Sequence, residues 1–226
     1  MASIEEDLQI EINGLRYEIK AAKKNIADYS KRHFNSTREN ALIFCLQRAH
    51  DLAEGCNLLA ETKLLTPVYA LTQGLLESLI WVRWIALSNE NAQAFVDTTA
   101  NELKRIARKN LATGHAKVVD RVTHEDKTRE LLQSAWAKGI SPRLKIEDAA
   151  KAAGLERLYT QMYGPLSMQT HGTAFGFELK TSVDEEMVSI LAVANVSMES
   201  INLVVKNWIV ERKLTMVSDI YDVLRL

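Results

Sequence analysis

Between Thr66 and Leu87 the sequence TPVYALTQGLLESLIWVRWIAL is apolar on every helical face. A helix without a polar side belongs at the centre of a bundle or in a membrane. Glu77 and Arg83 interrupt the run and leave no charge-free window of about 18 residues, so the membrane alternative fails. The segment is expected as a buried central helix over residues 66–88. Thr66 is placed to cap its first amides, with Pro67 at the first helical position, where a missing N–H costs nothing. This helix carries one carboxylate, Glu77, into the core region.

The flanking sequence supplies helices to surround it. Ile4, Leu8, Ile12, Leu15, Ile19, Ala22, Ile26 and Tyr29 recur at steps of three and four. Such a heptad-like stripe suits a long N-terminal helix, within residues 1–35, packed at a shallow angle on its own chain or on a second copy. Gly14 within it costs about 1 kcal/mol relative to alanine. Ser36 and Glu39 form an S-x-x-E capping box that opens a second helix reaching about Lys63. Asn91 caps a fourth helix that Gly114 ends, and a fifth helix is expected over 115–138. Ser141-Pro142 marks a loop at 140–145. Short helices follow at 146–153 and 155–163, and Gly164-Pro165 breaks or restarts the chain before a turn or two at 165–171. A second main loop, 172–183, precedes a long helix from Asp184 to about Lys213 and a final one at 216–225. No convincing strand pair is visible. The expected fold is all-α, one helical domain over 1–226: an antiparallel bundle with a long N-terminal helix and a buried central one.

Composition narrows the function classes. The 226 residues carry a net charge of −1, which argues against holding nucleic acid by bulk electrostatics but leaves room for a local patch. The start, MASIEEDLQIEI, is acidic and has no apolar core of a signal peptide, so a cytoplasmic protein is expected. Cys45 and Cys56 fit no metal motif and read as reduced core thiols. None of His33, His50, His115, His124 and His171 follows a glutamate by three residues, as a di-iron bundle requires. H-E-x-x-H, P-loop, G-x-G-x-x-G and G-x-S-x-G motifs are all missing from the sequence, so no metal and no cofactor is expected. Lys104, Arg105, Arg108 and Lys109 read as a solvated basic face, or as a patch that contacts phosphate.

The most informative polar segment is Tyr163 to Gly176, YGPLSMQTHGTAFG. On a helix, Tyr163, Ser167 and His171 fall on one face at steps of four. A hydroxyl one turn from an imidazole can orient the ring or share its proton. Either His171 is a general acid/base or ligand-binding group, or this is a partly buried helix end with a satisfied histidine.

The pairing of Gln73-Gly74-Leu75-Leu76-Glu77 with a later Tyr163-Gly164-Pro165-Leu166-Ser167 and His171 resembles a group of bacterial helical proteins similar to the HEPN superfamily. The likeness spans roughly residues 65–180. It implies an all-helical, commonly homodimeric protein. It also implies metal-independent ribonuclease activity of the toxin–antitoxin or phage-defence kind, with RNA as substrate and an antitoxin or other protein as partner. Active members of that superfamily use R-x(4–6)-H. Here Leu166, Pro165 and Gly164 stand where the arginine before His171 would fall, and the one matching string runs from Arg108 to His115. Gln73 stands where a basic residue is usual. The resemblance gives His171 the part of base or acid, Ser167 and Tyr163 that of orienting it or holding phosphate, and Glu77 that of fixing the imidazole or an arginine. Arg83, Arg108 or Lys180, with Gln73, would then contact the substrate. The competing expectation is a catalytically inert helical module that binds a partner or a small ligand. A further one is a sensor with a pocket lined by Trp81, Trp84 and Phe175.

Overall fold

The computed structural model describes residues 3–31, 36–139, 143–170 and 182–211. They form α1 (Ile4–Tyr29), α2 (Thr37–Glu61), α3 (Leu65–Leu87), α4 (Asn89–Ala112), α5 (Thr128–Gln133), α6 (Ala135–Lys138), α7 (Ile146–Ala152) and α8 (Glu156–Leu158). A π-helical turn, Tyr159–Tyr163, leads into α9 (Gly164–Thr170), and α10 (Val183–Lys206) ends in a second π-turn, Asn207–Glu211. The fold is an all-α bundle. Two compact units are present, Met1–Ala92 with Ile146–Leu226, and Gln93–Lys145. The expected loop at 172–183 lies outside the described residues as far as residue 181, as does the expected helix at 216–225.

In the first unit α3 is the hub, packed by α2, α7, α9 and α10. Leu75, Leu76, Leu79 and Ile80 are fully buried, so its all-round apolar surface is used as the sequence implies. α2 and α3 form an antiparallel hairpin. Its turn closes with Lys63 N–H on the Ala60 carbonyl and Leu64 N–H on the Leu59 carbonyl, both at 3.0 Å. This is a Schellman closure with Lys63, at φ 55°, in the left-handed position that glycine usually takes. Lys63 Nζ in turn meets Asp184 at 3.0 Å, beside the start of α10.

α10 runs alongside α1 in the same direction. Asn195 Nδ2 donates to the Glu11 carbonyl at 2.9 Å, and Asn202 Nδ2 to the Glu18 carbonyl at 3.1 Å. The same seven-residue step on both helices fixes a parallel, coiled-coil-like register. The heptad stripe therefore packs within the chain: Leu8, Ile12, Leu15, Ile19, Ala22 and Tyr29 are buried, and α1 lies on α2 and α10. Gly14 has a positive reason to be there. A Cβ at that position would sit 3.2 Å from Asn195 Nδ2, so glycine makes room for the amide. α10 and its π-turn, Val183–Val210, form the one helix among the described residues long and apolar enough to cross a membrane, with mean hydropathy 1.7; 61% of that window is buried in the bundle.

Asn202 also donates to a Glu18 carboxylate oxygen at 2.9 Å. Burial pushes the Glu18 carboxyl above its ordinary range; the Asn202 bond opposes this and Glu199 adds to it. An acid whose folded pKa is raised binds more protons folded than unfolded, so stability falls as pH rises through that window. Glu18→Gln keeps an acceptor for Asn202 and removes the charge. It is expected to stabilise the protein at pH 7 and to make no difference in acid below the carboxylate range, as urea melts across pH would show.

Several helix ends differ from the sequence expectation. α3 starts at Leu65 with Leu64 at the cap, so Thr66 and Pro67 are its second and third residues. Pro67 is still tolerated because first-turn amides have no intrahelical acceptor. Ser36 precedes α2 but makes no side-chain cap bond, and Glu39 is buried at 6% exposure. True capping boxes pair Ser3 with Glu6 and Ser182 with Glu185. Ser88, not Asn91, caps α4, through Asn91 N–H at 3.0 Å, while the Asn91 side chain donates to the Trp84 carbonyl.

The second unit contains most of α4, followed by a turn where a fifth helix was expected. Val119 and Asp126 form an antiparallel bridge, and only Thr128–Gln133 and Ala135–Lys138 are helical. The Asp120 carboxylate takes the Val122 and Thr123 amides at 2.8 Å, and Asp126 takes that of Thr128 at 2.8 Å. These local bonds satisfy amides outside a helix, and Val118, Val119, Val122 and Thr123 are β-branched residues that disfavour one. Pro165, by contrast, does not break its segment. The Gly164 amide bonds the Tyr159 carbonyl five residues back, and the widened turn carries the helix past the proline.

Candidate functional site

The α2–α3 seam is tight because each helix offers the other a glycine. A Cβ on Gly55 would lie 2.9 Å from Leu71 Cδ1, and one on Gly74 would lie 3.1 Å from Leu52 Cδ1. One turn beyond Gly74 the seam opens on a polar cluster. Arg48 Nη2 lies 3.8 Å from Glu77 Oε2, and Trp81 Nε1 donates to Glu77 Oε1 at 3.2 Å. The Arg48 and Glu77 side chains are 44% and 30% exposed. An ion pair this wet contributes at most about 1 kcal/mol to stability, so it is free to meet a ligand at little structural cost.

This corrects two assignments. Glu77 is half-exposed, not carried into the core, because its position faces α2 at the seam, where Arg48 and Trp81 meet it. The buried charge of α3 is Arg83, only 4% exposed, and so it is not available as a substrate contact. Trp81 and Trp84, which the sensor reading puts at a pocket, are each 8% exposed and pack edge-to-face at 5.8 Å. Phe175 lies outside the described residues.

Gln73 is half-buried one turn before Glu77. Tyr163 and Ser167 are half-buried at the end of the π-turn and in α9, both of which pack on α3. The Tyr163 ring stacks on Tyr159 at 5.0 Å. His171 and Lys180 lie outside the described residues. Arg108 is exposed on α4 in the second unit. Of the basic cluster there, Arg105 pairs with Glu102, which Arg143 also grips through Nε at 3.0 Å and Nη2 at 3.2 Å. That part of the cluster is internally paired.

Cys45 lies beside the polar cluster but is no nucleophile. Burial pushes its thiol up to about 12; Arg48 opposes this and Glu77 reinforces it. Cys56, near Thr72 at 3.7 Å, is likewise pushed to about 12 by burial. Both are free thiols, as read from the sequence. On α2, atoms of His50, Asp51 and Glu54 come within 4.8 Å of one another, with both carboxylates exposed to water.

Arg48 is the residue that sequence reasoning missed. No motif spacing links it to Glu77. The available signal was the register of the hairpin: Arg48 and Glu77 are nearly equidistant from the turn at Thr62–Leu64, so antiparallel pairing brings them level.

The fold and site together define an all-helical protein with a half-exposed arginine–carboxylate pair beside its central helix. The chain belongs to DUF5677, a family of unknown function, whose match covers residues 39–189. That span contains Arg48, Gln73, Glu77, Tyr163 and Ser167. No curated protein and no solved structure matches the chain.

Proposed function

We propose that this chain is a HEPN-like, metal-independent endoribonuclease of bacterial phage defence or a toxin–antitoxin system, cytoplasmic and homodimeric, with RNA as substrate and an antitoxin protein as partner. The observation that carries the reading is the Arg48–Glu77 pair at 3.8 Å. It offers the cation that the sequence around His171 lacks. Metal-free cleavage of RNA needs a base for the 2′-hydroxyl and positive charge for the phosphate. In this scheme His171 takes the 2′-hydroxyl proton, and the 2′-oxygen attacks the adjacent phosphorus. The 5′-oxygen leaves with a proton returned from the imidazole, giving a 2′,3′-cyclic phosphate. Arg48 meets the charge that grows on the phosphate oxygens, and Glu77 holds the guanidinium in place. Ser167 and Tyr163 position the phosphate or the imidazole, and Gln73 contacts the substrate.

Growth on overexpression tests this. The wild-type chain is expected to arrest growth, and His171→Ala and Arg48→Ala are each expected to relieve the arrest at equal protein level. Arrest that persists in both variants would overturn the assignment.

A further inference from the structure

Between α1 and α10, and open to water, runs a groove of about 830 Å³. Its apolar lining includes Tyr17, Ala21, Leu203 and Val210, and of these Tyr17, Leu203 and Val210 are exposed. The two helices run in parallel register, so the groove's charges come in blocks along it. Asp28, which Lys31 approaches at 3.9 Å, lies at the Val210 end. Lys24, Lys206 and Lys20 follow, and Glu18 and Glu199 close the far end.

The described residues stop at Glu211, one residue past Val210 and so at the end of this groove. The 15 residues that follow, 212–226, read RKLTMVSDIYDVLRL and lie outside the described residues. In that sequence Val217, Ile220, Tyr221 and Leu224 recur at steps of three and four, one apolar face for the helix expected at 216–225. Its charges also come in blocks: Arg212 and Lys213, then Asp219 and Asp222, then Arg225. Taken from the Val210 end, each block is opposite in sign to the one it would meet in the groove. Lengths agree as well. Ten helical residues span about 15 Å, and α1 from Tyr17 to Asp28 spans about 17 Å. Residues 212–215 are a sufficient connection for the reversal, since helix–helix turns take about 2–8 residues.

We propose that residues 216–225 fold back antiparallel to α10 and cover this groove as a third helix. Val217, Ile220 and Leu224 meet Val210, Ala21 and Leu203, which removes an otherwise exposed apolar strip from water. Arg212 and Lys213 sit by Asp28, the two aspartates within reach of the long lysine side chains, and Arg225 by Glu18 and Glu199. Attachment to the same chain gives this segment a high effective concentration at the groove, which favours it over a second copy or another protein. The assignment stands whether or not the chain cleaves RNA.

The test is disulfide trapping in the full chain carrying Leu203→Cys and Leu224→Cys. The control pair is Leu58→Cys with Leu224→Cys, because Leu58 is also exposed but lies on α2, outside the groove. The native Cys45 and Cys56 are buried, which keeps them out of the exchange. Mild oxidation is expected to close the first pair within one chain, at least about tenfold faster than the control pair. Ile220→Asp, added to the first pair, is expected to bring its rate down to that of the control. Equal rates for the two pairs, a bridge that joins two chains, or a first pair that Ile220→Asp leaves as fast would overturn the proposal.

Discussion

Leu79→Ala is expected to lower the unfolding free energy by about 3–4 kcal/mol. Leu79 is fully buried, one turn from the fully buried Leu75 and Leu76 and beside Ile80. α3 is gripped by α2, α7, α9 and α10, so no single neighbour can move in to fill the space without leaving another contact. The loss then includes both the transfer energy of the missing methyl and methylene groups and the residual cavity. Against a typical total of about 5–15 kcal/mol the variant would be close to its folding limit at ambient temperature. Urea unfolding checks this: the midpoint should fall with little change in slope. A loss below about 1 kcal/mol would mean that α3 is not the hub.

Gly74→Val is expected to destabilise by about 2–3 kcal/mol, although valine is the better helix former. The reason is local. A Cβ at Gly74 already lies 3.1 Å from Leu52 Cδ1, and a branched side chain adds two further methyl groups there. Leu52→Ala in the Gly74→Val background is expected to recover part of the loss, with a coupling energy of about 1 kcal/mol or more. Strictly additive effects would show that the seam does not close on this glycine. The same seam places Arg48 level with Glu77, so its closeness is a condition of the polar cluster as well as of stability.

The all-α class, the buried α3 and the α1 stripe were legible because each rests on a local pattern that burial then enforces. Leu8 to Tyr29 repeat at helical steps, and nothing in the tertiary structure competes with them. Helix ends were less legible, because Ser36, Thr66 and Asn91 are all competent caps and only the path of the chain decides which is used. The segment from Gly114 to Lys127 carries four β-branched residues, Val118, Val119, Val122 and Thr123, that weaken a helix without excluding one. It is held out of a helix by Asp120 and Asp126 accepting nearby amides, a choice that single-residue propensities do not resolve. The candidate site was half legible. Glu77 stood out as a charge in an apolar run, but the same logic placed it too deep and overlooked that Arg83 is the buried one. Arg48 could be found only after folding the hairpin, since its link to Glu77 is one of register between two helices.

The most direct measurement of the central claim is incubation of the purified full-length chain with total RNA in EDTA, beside Arg48→Ala and His171→Ala. The account predicts cleavage by the wild type, ends carrying 2′,3′-cyclic phosphate, and a fall of about a hundredfold or more in rate for either variant. Intact RNA with the folded wild type, or equal cleavage by all three proteins, would contradict it.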